Sequence, residues 1–245
     1  MLIKILTGLG LGLALLAAPG SARAQSGRDL YDISSALYLN ANSPNALARR
    51  QKELADSPDA YLVSIDQPGT LVLASKRRVR VPALRYNVAL NLLEVQDSTG
   101  SHLWPPGSLD GFYLGRGTDA RHFRSYAVRD GGRLLTFVEM LTADAAPLQL
   151  GVQHTYHHTD LELHPVLRTE VKKEQAEIKQ TVVTGPGNGS TEPLRPITLG
   201  ERAVLRLFSS QAPRVAEYAA REYLSYTDLA QVLRMVEYYN SLPLK

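Results

Sequence analysis

Hydrophobic side chains follow three successive spacings along this chain, and each predicts a different kind of segment. From Ile5 to Ala18 they form a nearly unbroken run behind Lys4, ended by Pro19-Gly20 and followed by Ala22-Arg23-Ala24. A basic start, an apolar stretch too short to cross a bilayer and small residues just before Gln25 predict a secretory signal peptide over residues 1–24. Residues 25–58 have no clear period. Within them Ser43-Pro44 reads as an N-cap and a first helical residue, and Asn45 to Ala55 as a short helix with Leu47 and Leu54 on one side.

From Ala60 the spacing becomes two. Strands are predicted at 61–65, 70–74, 78–81, 88–96, 109–114, 121–128, 133–141 and 148–156, with another inside 170–183. Turn chemistry falls between them: Asp66-Gln67-Pro68-Gly69, Asp97-Ser98-Thr99-Gly100, Asp130-Gly131-Gly132 and the Gly185–Gly189 string. Pro193 and Pro196 fit only an edge strand, because proline has no N–H for a ladder. Short strands at near-regular spacing indicate an antiparallel meander.

After Thr198 the spacing turns helical. Ala203 to Phe208 is one candidate, and Pro213 opens a second that carries Val215, Tyr218 and Ala219. Ser225-Tyr226-Thr227-Asp228 resembles a capping box, and Leu229, Val232, Leu233 and Val236 form a stripe at i, i+3, i+4 and i+7. Asn240 is placed to end this helix in a left-handed cap, with Pro243 beyond it. The expected fold is therefore α+β: an antiparallel β-meander body, a sheet or partly closed barrel, followed by a cluster of short C-terminal helices. Its expected parts are a signal peptide (1–24), an N-terminal segment (25–58), a β domain (59–198) and a helical segment (199–245) packed on it.

Composition narrows the function. The chain has 245 residues with 27 Lys plus Arg against 24 Asp plus Glu. The predicted signal holds Lys4 and Arg23 and no acid, so the remainder carries 25 basic against 24 acidic side chains. Such a balance gives no support for nucleic-acid binding. With no cysteine, thiolate metal sites, a cysteine nucleophile and lipidation at an N-terminal cysteine are excluded. After the signal, no apolar run is long enough for a further transmembrane helix.

Several short segments, taken in order, resemble an exported protein family of Bacteroidetes-type bacteria. They are Leu84-Arg85-Tyr86-Asn87, Gly111-Phe112-Tyr113-Leu114, Phe123-Arg124, Thr136-Phe137-Val138-Glu139-Met140-Leu141 and Glu237-Tyr238-Tyr239-Asn240. The resemblance covers about 65 to 241 and implies a β-rich body with a short helical tail; residues 25–58 depart from it. It implies no catalytic activity, and no functional residue is carried over.

Three clusters carry candidate chemistry. His154, His157, His158 and His164 lie within eleven residues, and a divalent metal needs two to four such ligands converging on one point. On a strand, His154, His158 and His164 share a face, yet i, i+2 neighbours stand about 7 Å apart, so a metal needs a turn or second strand. A solvated hairpin end is the favoured reading of them over a bound metal. Lys76, Arg77, Arg78 and Arg80 are the one concentrated basic feature, either a surface for an anionic partner or the charge that guards an edge strand. Twelve tyrosines stand against one Trp and four Phe, and Tyr86, Tyr113 and Tyr126 could line a shared face of the sheet.

No motif for a nucleotide, a hydrolase elbow or an aspartic-protease pair survives inspection of spacing, and no cofactor is implied. The expectation is an exported, periplasmic or secreted, non-catalytic binding module that meets an envelope protein or a glycan. The alternatives are a carrier of a small ligand or carbohydrate on a tyrosine-lined face, and a metal-dependent hydrolase built on the histidines.

Overall fold

The computed structural model describes residues 60–98, 100–129, 135–159, 162–163, 170–172, 175–187 and 189–243. The predicted signal peptide, the helix expected at 45–55, the turn at 130–132 and His164 lie outside the described residues. In chain order the strands are β1 (Gln67–Val72), β2 (Arg78–Asn87), β3 (Leu92–Asp97), β4 (Gly100–Trp104), β5 (Gly111–Leu114), β6 (Arg121–Ala127), β7 (Leu135–Met140), β8 (Leu148–Thr159), β9 (Glu162–Leu163), β10 (Glu170–Lys172), β11 (Gln175–Pro186) and β12 (Arg195–Pro196). Helices α1 (Glu201–Arg206), α2 (Ala212–Arg221) and α3 (Leu229–Ser241) follow. Ten strands form one antiparallel sheet in the order β12-β11-β8-β7-β6-β5-β1-β2-β3-β4, and β9 pairs with β10. The expected α+β architecture, a meander followed by short helices, is what the chain adopts.

The sheet is strongly curled. In that order β2 stands four places from β7, about 19 Å across a flat sheet at the usual strand spacing. Yet the Tyr86 ring lies 5.6 Å from Phe137, 5.8 Å from Phe123 and 6.0 Å from Phe112. Phe112 and Phe123 face each other across β5 and β6 with rings stacked at 4.7 Å. These four buried rings, with Leu71, Leu84, Leu93 and Val95, are the core that the curl encloses, and each full burial stabilises by about 1.5–3 kcal/mol. A side chain fastens the curl. Asn91, left-handed at φ 51° in the β2–β3 turn, accepts from Tyr86 Oη at 3.0 Å and donates from Nδ2 to the Leu135 carbonyl at 3.0 Å.

The other face of β6–β7–β8–β11 is covered by the returning chain. Leu194 makes a parallel bridge with Val128, its N–H donating to Ala127 and its carbonyl accepting from Arg129, over Val138, Met140 and Val183. The helices close the remaining end. Val204, Phe208, Val215, Ala219, Val232, Met235 and Val236 pack with Leu150 of β8 and Val182 of β11.

Several local expectations are corrected. Residues 61–65 make only a bridge, Tyr61 to Asn87, rather than a strand. The Pro68-Gly69 pair is not a turn but part of β1, at an irregularity in its register with β2. A Cβ at Gly69 would lie 2.3 Å from the Tyr113 carbonyl and 2.4 Å from Leu84, so glycine is required there by close approach. Residues 88–91 turn instead of opening β3, because the Asn87 side chain accepts from Leu90 N–H at 2.9 Å and stops the strand. β4, unforeseen, pairs with β3 through the Asp97–Gly100 turn. The cap of α3 is Asp228 itself, whose Oδ1 accepts from Gln231 N–H at 3.0 Å. Asn240 is not a left-handed cap. It remains within α3, and its side-chain amide pairs with the backbone of Leu148, accepting at 2.9 Å and donating at 3.0 Å. That pairing pins the helix to the start of β8.

Candidate functional site

The register places charged and aromatic side chains in a row on the face away from the aromatic core. Thr70 of β1 pairs with Arg80 of β2 on one side and with Tyr113 of β5 on the other, and Tyr113 pairs with His122 of β6. Directly paired residues share a face, and so do residues two apart, so Arg78 stands there as well. Its guanidinium sits 5.3 Å from the centre of the Tyr113 ring, a cation–π contact that holds a flexible side chain flat. From the opposite side the His122 ring stacks on Tyr113 at 4.3 Å with an interplanar angle of 7°.

A loop completes the site. After β5 the chain runs Gly115-Arg116-Gly117, with both glycines at positive φ (95° and 70°), a region in which most side chains are strained. This path carries Arg116 to the rim opposite Arg78 and Arg80. Together they line a cleft of about 730 Å³ that Thr70 and Tyr113 floor, within the range of small-molecule sites. No carboxylate lines it. Among the described residues neither Arg80 nor Arg116 has an ion pair, whereas Lys76 is neutralised by Asp110 at 2.6 Å and Arg124 contacts both Asp110 and Asp144. The cleft thus keeps three positive charges facing solvent beside a hydroxyl and a phenol. Guanidinium forks of this kind suit the bidentate recognition of phosphate and carboxylate oxygens.

The basic run read from the sequence is divided by the structure. Arg78 and Arg80 line the cleft, Lys76 is held by Asp110, and Arg77 lies exposed at the β1–β2 turn. β2 is not an edge strand of the sheet, since it lies between β1 and β3. Only its residues 83–87 pair with β3, however, so Arg78 to Pro82 has β1 alone beside it. Arg116 was not anticipated; an arginine between two glycines just after a strand was the available signal. The three tyrosines do not share a face. Tyr86 is buried in the core, where its contacts with Phe112, Phe123 and Phe137 fix it, while Tyr113 and Tyr126 lie on the cleft side.

His154 also parts company with His157 and His158. His154 is buried and its Nε2 donates to Glu139 Oε2 at 2.8 Å. Arg121 forks onto the same carboxylate, Nε to Oε1 at 2.7 Å and an Nη to Oε2 at 2.6 Å. Burial alone would raise the Glu139 pKa, but the hydrogen bonds from Arg121 and His154 reverse this and bring it to about 2. His157 and His158 are exposed further along β8, with the His158 ring 6.4 Å from that of Tyr156. Among the described residues no three His, Cys, Asp or Glu side chains come together to hold a metal ion.

A second buried carboxylate, Glu94, is saturated by Tyr61 at 3.0 Å, Arg85 at 2.9 Å and Ser101 at 3.0 Å. Burial and that carboxylate push the Tyr61 phenol up to about 12, and the group ties β2, β3 and β4 together. No helix is long and apolar enough to cross a membrane among the described residues. Compared with known proteins, the chain matches no family model, no curated protein and no solved structure.

Proposed function

We propose that this protein is an exported, non-catalytic binding module that takes a ligand bearing two or more oxyanions, phosphate or carboxylate, in the Arg78–Arg80–Arg116 cleft. One observation carries the reading: three arginines converge on a cleft of about 730 Å³ with no lining carboxylate to neutralise them. Surface arginines are ordinarily paired or dispersed, because clustered like charges repel. Holding Arg78 flat on Tyr113 lowers the ordering cost of binding, which favours affinity. Export rests on the order of charge, apolar run and small residues over 1–24. In an envelope setting an acidic glycan supplies this chemistry, and the exported family that the chain resembles fits the same address.

Calorimetric titration of the purified protein with citrate, inorganic pyrophosphate and uncharged maltotriose tests the reading. The two anions are expected to bind and to weaken as salt rises. Arg80→Gln and Arg116→Gln, both at exposed positions, are each expected to weaken them by roughly tenfold, the loss of one charge-assisted contact. Maltotriose binding as tightly as citrate, or unchanged anion affinity in both variants, refutes the reading.

A further inference from the structure

The cleft has a titratable group behind its floor. Tyr113 lines the cleft, and β6 and β2 lie on opposite sides of β5, so the Tyr113 ring has Arg78 against one face and His122 against the other. Only one aromatic ring therefore separates the imidazole from the arginine cluster. Protonating His122 adds a positive charge next to a site already selected for anions, and an anion in the cleft favours the charged imidazole in return. Binding and protonation are linked, and the coupling is reciprocal. Resting on the reading of the cleft as an anion site, we infer that His122 regulates it: protonation of His122 tightens anion binding, so the cleft loads in acid and releases toward neutral pH.

The groups around the imidazole leave room for such a switch. His122 is faced by Arg78 from β2, Tyr113 from β5 and Arg124 on its own strand. From the connection before β5 comes Asp110, and from the β7–β8 connection Asp144, whose Oδ1 lies 3.8 Å from His122 Nδ1. The two carboxylates favour the protonated ring and the two guanidinia oppose it, so the charges largely offset one another. Burial, the largest influence, then holds the imidazole below its ordinary value, neutral near pH 7 and charged in acid. A bound anion offsets Arg78, which lines the cleft, and raises the midpoint again.

The probe is pyrene-1,3,6,8-tetrasulfonate, whose sulfonates stay ionised throughout, read by fluorescence anisotropy between pH 7.5 and 4.5. Wild type and His122→Phe, which keeps a ring against Tyr113, are compared under identical salt. Carboxylates elsewhere on the surface titrate in both proteins, so the difference between the two curves reports on His122. On acidification, the gain in affinity of wild type is expected to exceed that of His122→Phe by roughly threefold or more, the size of one added charge near the site in a high-dielectric surround. Independently, NMR titration of the His122 ring in wild type is expected to show its midpoint moving upward when the probe is bound. Parallel affinity curves with measurable binding, or an unmoved midpoint, overturn this inference and leave the anion site standing. No binding at any pH overturns the site itself.

Discussion

Glu139 offers the sharpest test of the energetics. Its carboxylate is held by two nitrogens of Arg121 and by His154, with only 14% of the side chain exposed. Its pKa falls from an ordinary 4.5 to about 2. A shift of that size corresponds to about 3 kcal/mol, and residual solvent screening reduces the expectation to about 2–3 kcal/mol. Because the folded value lies below the unfolded one, the contribution is fully present above the unfolded pKa and is lost as pH falls toward 2. Glu139→Gln keeps the volume and removes the charge. At pH 7 the variant is expected to be less stable by about 2–3 kcal/mol, and the gap is expected to narrow steadily below about pH 4.5 as wild-type Glu139 protonates. Urea unfolding of both proteins at pH 7, 4.5, 3.5 and 2.5 measures it. Two parallel stability–pH profiles would refute the reasoning, because the ion pair would then contribute nothing that depends on the charge of Glu139.

Two further predictions concern contacts that hold the fold together. Asn240→Leu removes both hydrogen bonds to the Leu148 backbone and is expected to cost about 2 kcal/mol, with faster hydrogen exchange at the Leu148 amide than elsewhere in β8. Gly69→Ala forces a methyl against the Tyr113 carbonyl and Leu84 and is expected to destabilise by about 1–3 kcal/mol in thermal unfolding. An unchanged melting temperature for Gly69→Ala would show that β1 can shift without cost.

Periodicity carries local information, and here it identified what local forces control. Alternation was enough to locate most strands, since a strand with one buried face must alternate whatever its neighbours are. The stripe Val232, Leu233 and Val236 was enough for α3, and Asp97–Gly100 for its turn. At two places where local signals misled, a distant partner had decided the matter. Pro68-Gly69 carries turn chemistry, yet it lies in a strand because Tyr113 and Leu84 close over it. Asn240 has the residue type of a helix cap, but Leu148 claims its amide across ninety-two positions of chain.

The site divides along the same line. Residue type alone marked Arg78 and Arg80 as a basic feature, because concentrated charge is visible without coordinates. It could not add Arg116, which joins them only because β5 lies next to β1 and the loop after β5 turns back. Nor could it tell Tyr86 from Tyr113 as core and surface, since that depends on which face of the curled sheet each occupies. Likewise His154, His157 and His158 are close in sequence but part in space, for His154 is drawn inward by Glu139 and Arg121 from two other strands. The sequence by itself determined most of the strands, the C-terminal helices and the order of β body before helices, all set by neighbours a few residues away. Curvature, the choice of face and the convergence of three arginines were left to the tertiary structure, because they arise from pairings between residues far apart along the chain.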